Sequence, residues 1–246
     1  MAALLEVKDL SISFGGVVAA DRISLTVQEG ENLAIIGPNG AGKTTFLNVC
    51  TGYLNPKSGS VFFEGRNITR LAPRQITKLG IARAFQIPQL FLEQTVIENV
   101  LLAIIARRNG WSSVRALGDP SAHEEVTTIL SQLGITDHAT RTANELPEGI
   151  RKLVDIALAL ALNPRLLLMD EPTSGVASSE KFAVMDVLVA TFAARGVSSV
   201  FVEHDMDVVT RYANRVAVWN GGRIQMDGTP DAVLSDSEVR RVVIGQ

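Results

Sequence analysis

Gly37-Pro38-Asn39-Gly40-Ala41-Gly42-Lys43-Thr44-Thr45 fits G-x-x-x-x-G-K-[ST], the pattern of a phosphate-binding loop. The apolar run Leu33-Ala34-Ile35-Ile36 before it predicts a strand, and Phe46-Leu47-Asn48-Val49-Cys50 after it predicts a helix. Three glycines let the backbone curl so that its N–H groups converge on an anion, and the helix start adds the positive end of its dipole. In this pattern Lys43 holds the β- and γ-phosphates and Thr44 places its hydroxyl on Mg²⁺. The stretch therefore predicts binding of a nucleoside triphosphate.

Working outward, 246 residues suffice for one large domain, or for a core plus a small subdomain. The net charge of −3 argues against a general nucleic-acid binder, because there is no excess of cations to neutralise phosphates. The single cysteine, Cys50, cannot close an internal disulfide and reads as a buried, reduced thiol. The most apolar region, residues 156–169, is broken by Asn163-Pro164-Arg165 and is shorter than the roughly 20 residues needed to span a bilayer. Residues 1–8 carry charge too early for a signal peptide, so membrane association is expected to come through a partner.

Alternation along residues 4–14 and 17–27, around Gly15-Gly16, predicts two strands. Further strands are expected at 33–36, 60–63 and 82–86, with helices at 43–51 and 73–79. From about residue 87 to 162 strand signals vanish, and helices are expected at 95–107, 123–133 and 149–162, with a polar loop over 109–120. Strand and helix then alternate again: strand 166–169, helix 179–194, strand 200–202, helix 206–213. Asn220-Gly221 between two apolar runs signals a hairpin. The expected architecture is α/β: a phosphate-loop nucleoside-triphosphatase core from residues 1–86 and 163–246, with an antiparallel β subdomain and an inserted α-helical subdomain over 87–162.

Leu166-Leu167-Leu168-Met169-Asp170-Glu171 reads as a central strand, apolar on both faces, ending in two carboxylates. Asp170 is placed to hold Mg²⁺, directly or through water, and Glu171 to orient and polarise an attacking water. Alone, the pair also reads as a strand ending at the surface. His123 and His138 lack any comparable context and read as surface residues.

With these motifs in order, the sequence resembles the ATP-binding cassette family over nearly its whole length. The resemblance implies that Gln86 is the glutamine that contacts Mg²⁺ or water and senses the nucleotide. It implies that His204, in Val202-Glu203-His204-Asp205, lies near the γ-phosphate, and that Phe14, 23 positions before Gly37 (37 − 14), stacks on adenine. The cofactor set implied is ATP with Mg²⁺. Phe14, Gln86 and residues 37–45 contact the nucleotide; Thr44, Gln86 and Asp170 hold the metal; Glu171 and His204 serve hydrolysis.

The family's signature, Leu-Ser-Gly-Gly-Gln, corresponds here to Leu146-Pro147-Glu148-Gly149-Ile150, which departs at three of five positions. Such a segment offers its donors to a nucleotide on another subunit. Pro147 supplies neither hydroxyl nor N–H, though proline suits a first helical turn. Glu148 facing a γ-phosphate about 4 Å away is repelled by roughly 4 kcal/mol per charge pair at an effective dielectric of 20. Ser174-Gly175-Val176-Ala177 also departs from the family, which has Leu-Asp where Val176-Ala177 stands. Nucleotide-facing residues look intact and partner-facing ones altered, so an asymmetric heterodimer is expected, with a homodimer as the alternative.

Within the family the chain is most similar to ATP-binding subunits of branched-chain amino acid importers, through Phe14-Gly15-Gly16-Val17, residues 37–45, residues 48–53, Arg83-Ala84-Phe85-Gln86, Leu90-Phe91 and Thr95-Val96-Ile97-Glu98-Asn99-Val100. This implies ATP-driven uptake through transmembrane permease subunits, a second cassette subunit, an indirect link to a substrate-binding protein, and a cytoplasmic place on the inner face of the cell membrane. The alternatives are the ATPase of a lipid exporter and a soluble assembly factor.

Overall fold

Leu5, Val7, Leu10 and Ile12 are the buried positions of the first strand, β1 (Leu5–Phe14), and the alternation slips by one residue in their middle. The slip is a bulge: Asp9 adopts φ 48°, and the register with both neighbouring strands shifts after Val7 or Lys8. The partner strands are β2 (Val17–Val27) and β4 (Ser58–Phe63), and β5 (Arg66–Asn67) completes an antiparallel sheet ordered β2-β1-β4-β5. Gly59 crosses the bulge where a Cβ would overlap the backbone of Asp9 and Leu10, so the residue there is glycine for want of space. The computed structural model describes residues 3–108 and 119–241.

A second sheet carries the order β10-β9-β3-β8-β7-β6, built from β3 (Asn32–Ile36), β6 (Ile81–Ala84), β7 (Leu166–Asp170), β8 (Ser198–Val202), β9 (Arg215–Asn220) and β10 (Arg223–Gly228). All neighbours in it are parallel except the β9–β10 hairpin. Every residue of β7 and β8 is buried, as expected for parallel strands covered on both faces. Alternate residues feed two apolar cores. Leu33, Ile35, Leu166, Leu168 and Trp219 face the antiparallel sheet and the helices α1 (Lys43–Cys50) and α2 (Pro73–Leu79). Ala34, Ile36, Leu167, Met169 and Phe201 face the remaining helices.

Those are α3 (Val96–Arg107), α4 (Pro120–Gln132) and α5 (Glu148–Ala161), then α6 (Lys181–Arg195), α7 (Met206–Tyr212), α8 (Pro230–Ser235) and α9 (Ser237–Val239). α3, α4 and α5 pack on one another, yet their buried residues belong to the same apolar cluster as the sheet face. The helical segment is thus welded to the core through α5 rather than carried as a separate globule. Thr95 and Glu98 form a capping box that starts α3. The buried Asn99 amide ties α3 to the preceding loop by accepting from Phe91 N–H and donating to the Phe91 and Thr95 carbonyls.

Most expected elements stand within a few residues of their predicted bounds. Gln86 lies beyond β6, which stops at Ala84, and not at a strand end. The hairpin turn is centred on Gly221-Gly222, both at positive φ, because Asn220 already pairs with Arg223. His138 is partly exposed, with its Nδ1 enclosed, in a single 3₁₀ turn over Thr136–His138 that follows α4. The polar loop expected over 109–120 falls outside the described residues up to residue 118.

Candidate functional site

β3, β8 and β7 lie side by side in parallel, so their carboxyl ends open onto one edge of the sheet. Three chain segments leave there: the loop 37–42 after β3, Asp170-Glu171 at the end of β7, and Glu203-His204 after β8. Loops beyond the carboxyl ends of parallel strands are where α/β sheets bind ligands.

The phosphate loop owes its path to its glycines. Gly37 (φ 148°), Gly40 (φ 77°) and Gly42 (φ 106°) take up conformations that L side chains rarely adopt. A Cβ on Gly37 would also overlap the Trp219 carbonyl, and one on Gly42 the Ala19 carbonyl. Lys43 Nζ donates to the Gly37 and Pro38 carbonyls at 2.6 and 2.9 Å, two of its three N–H bonds. Burial lowers the Lys43 pKa, and the nearby carboxylates of Glu171 and Asp170 act against that shift.

Thr44 Oγ1 lies 3.4 Å from Asp170 Oδ1, and Arg83 donates to Asp170 Oδ2 at 3.1 Å. The Arg83 guanidinium also donates to Asn48 of α1 and stacks over the Phe85 ring at 4.8 Å. Burial lowers its pKa, opposed first by Asp170. Glu171 stands at φ 54°, a strained position for a glutamate, with its N–H bonded to the Val202 carbonyl. Its carboxylate is shared: Gln86 Nε2 donates to Oε2 at 3.1 Å, and His204 Nε2 lies 3.0 Å from Oε1. Glu203, buried beside His204, accepts from the N–H and hydroxyl of Thr173 and from the His204 N–H.

Phe14, Asn39, Gly40, Ala41, Gly42, Lys43, Thr44, Thr45, Gln86, Glu171 and His204 line one open cavity of about 320 Å³. Asp170 reaches it through Thr44, while Gly37 and Pro38 support it through Lys43. Phe14 is about half exposed at the rim, with Val17 and Val18 beside it. The segment Leu146–Ile150 is not brought there. Leu146 is buried, Pro147 is the N-cap, and α5 begins at Glu148. Gly149 rests against Val176, and the Glu148 carboxylate lies over Gly175, where a Cβ would overlap it. The two stretches that depart from the family pattern are therefore in contact with each other.

A family profile described as ABC transporter matches residues 20–174. The chain belongs to the ABC transporter family. It is 32% identical over 250 residues to the high-affinity branched-chain amino acid transport ATP-binding protein LivG of Salmonella typhimurium, covering 99% of this chain and 98% of that protein. The crystal structure of the ADP conformation of MJ1267, an ATP-binding cassette of an ABC transporter, superposes with TM-score 0.87 at 34% identity over all of both chains. A dimeric post-hydrolysis state of the cassette MJ0796, bound to ADP and Pi, superposes with TM-score 0.80 at 26% identity over 92% of this chain and 98% of that one. The α/β phosphate-loop fold, ATPase activity and nucleotide binding follow from this membership.

Sequence reasoning did not single out Arg83, Lys152, Asp155 or Glu203, all of which touch this site or its supports. Lys152 Nζ donates to the Glu171 carbonyl at 2.6 Å, and Asp155 accepts from the Phe85 and Gln89 N–H groups at 2.8 and 3.1 Å. Burial lowers the Lys152 pKa and raises that of Asp155 to about 6, the two N–H bonds opposing the latter. The signal was in the sequence: Lys152 and Asp155 are charges on the apolar stripe of an otherwise buried helix.

Proposed function

We propose that this chain is the ATP-hydrolysing subunit of an importer for branched-chain or related amino acids, working through membrane subunits. The observation that carries the ATPase part is the shared Glu171 carboxylate, held between Gln86 and His204 across the cavity from Lys43. Lys43 and the loop N–H groups hold the β- and γ-phosphates, and Phe14 stacks on the base, worth about 1–3 kcal/mol. Glu171 orients the attacking water, and His204 fixes the carboxylate and faces the γ-phosphate. Catalysis of this kind is positioning and charge stabilisation.

The donors near Thr44 suit Mg²⁺: a hydroxyl, the Asp170 carboxylate and the Gln86 amide are hard oxygen ligands. Among the described residues no three His, Cys, Asp or Glu side chains group to hold a metal. Mg²⁺ in nucleotide sites is commonly held by one or two carboxylates together with substrate phosphates. When bound, Mg²⁺ would neutralise negative charge on the phosphates.

We take residues 87–162 as the signature subdomain and residues 1–86 with 163–246 as the nucleotide-binding core. The segment Leu146–Ile150 serves a nucleotide on a second cassette, and its altered residues favour a heterodimer. A cleft between α2 and the carboxyl end of α3, lined by Tyr53, Arg74, Lys78 and Arg107, suits a permease segment. Among the described residues no helix is long and apolar enough to cross a membrane, so the inner-face location rests on those subunits. The amino acid substrate rests on likeness to LivG. Co-purification with membrane subunits, followed by ATP-dependent leucine uptake into vesicles, tests it; lipid transfer without leucine uptake would defeat it.

A further inference from the structure

Asp155 follows Lys152 by three residues, so the two side chains leave neighbouring positions on one side of α5. Both are almost wholly buried, at 5% and 4% exposure. Neither lines the nucleotide cavity. Burying a carboxylate and an ammonium costs more than filling the same space with apolar side chains, so what they touch is informative.

Each holds backbone just beyond a strand end, Asp155 after β6 and Lys152 after β7. Asp155 Oδ2 accepts the Phe85 N–H at 2.8 Å, and Oδ1 accepts the Gln89 N–H at 3.1 Å. These two amides bracket Gln86. Lys152 fixes the other side of the site by donating to the Glu171 carbonyl at 2.6 Å. The Gln86 and Glu171 side chains then meet at 3.1 Å. The links close a ring that runs from α5 through Lys152 to Glu171, across to Gln86, and back through Asp155. A rigid helix therefore spans both ends of the one contact between Gln86 and Glu171.

We propose that Asp155 is a positioning residue that sets the Gln86 amide against Glu171 by pinning the backbone on both sides of Gln86. An ionised carboxylate suits this task because both of its oxygens accept, whereas an asparagine in its place accepts through one. The inference rests on the reading of Gln86 and Glu171 as the pair that faces the γ-phosphate.

The test uses the purified full chain and steady-state ATP hydrolysis. Asp155→Asn keeps the size of the side chain and breaks one of the two N–H bonds. We expect kcat to fall about 10-fold with the KM for ATP changed less than about twofold, because Lys43 and its loop are untouched. The deciding comparison repeats the substitution in a Gln86→Ala background. A residue acting through Gln86 costs little more once Gln86 is gone, so the two losses should not add. The same fold-loss in both backgrounds, or no loss in the first, overturns the proposal. Amide exchange on the unmodified chain gives a second reading that needs no variant: Phe85 and Gln89 should exchange slowly beside a fast Ile87. Equal rates at all three overturn it as well. Glu171→Gln, measured alongside, separates the two levels. Turnover retained there removes the site reading itself, whereas turnover lost there with additive Asp155 and Gln86 effects removes only the brace.

Discussion

The Glu148 carboxylate lies over the backbone of Gly175, in the loop that follows Glu171. Gly175 has φ 76°, so glycine is needed there both for its conformation and to leave room for Glu148. In the dimer proposed above, the acidic group at the start of α5 sits on the surface that a second cassette would approach. If it faces the partner's γ-phosphate, like charges oppose closure by roughly 4 kcal/mol at about 4 Å and an effective dielectric of 20. Glu148→Gly should therefore strengthen ATP-dependent self-association of this chain by at least about 10-fold. Sedimentation with ATP, using the Glu171→Gln background to prevent turnover, checks this. Unchanged association would mean that Glu148 does not limit dimer closure.

Glu171→Gln leaves the loop, Lys43 and Thr44 in place but removes the charge that Gln86 and His204 share. Loss of a base-type carboxylate lowers turnover by about 10²–10⁴-fold. ATP affinity, measured by direct titration, should stay within a few-fold of the original. Near-native turnover would remove Glu171 from its assigned role.

Lys43→Ala acts on the other half of the site. A hydrogen bond to a charged group is worth about 1.5–3 kcal/mol, so nucleotide affinity should fall by about 10- to 150-fold. Titration with ADP and with ATP separates the phosphates involved, the larger loss being expected for ATP.

Glycine replacements in the loop should rank by space. Gly42→Ala meets the Ala19 carbonyl at φ 106°, whereas Gly40→Ala at φ 77° meets open space. Both carry backbone strain of about 1–3 kcal/mol, and only Gly42→Ala adds a backbone overlap. Denaturant unfolding should therefore show Gly42→Ala as clearly the less stable. Equal stabilities would contradict the packing of β2 against the loop.

Cys50 is fully buried on α1, and burial pushes its thiol up to about 12. At pH 8 the thiolate fraction is then about 10⁻⁴, and reagents have no path to it. Modification by a thiol reagent should track unfolding. Rapid labelling of the folded chain would place Cys50 at the surface.

Much of the site was legible because it is local. Residues 37–45 carry their own geometry in three glycines, a lysine and a threonine, and the apolar run before Asp170 marks a buried strand by composition alone. Gln86, His204 and Phe14 were legible only through family resemblance, since a lone glutamine, histidine or rim aromatic has no spacing that reveals its partners. Lys152 and Asp155 were missed because a periodicity reading of α5 counts its apolar stripe and passes over the charges within it.

By itself, then, the sequence determined the phosphate loop, the alternation of strands and helices, and the carboxylate pair at a strand end. Each depends on residues within a few positions of one another. Tertiary structure alone decided that Glu171 is shared between Gln86 and His204, that Asp155 grips the backbone around Gln86, and that Glu148 lies over Gly175. Helical and strand periods fix which face of an element a residue occupies. Which faces then meet is set by packing the whole chain around two shared apolar cores.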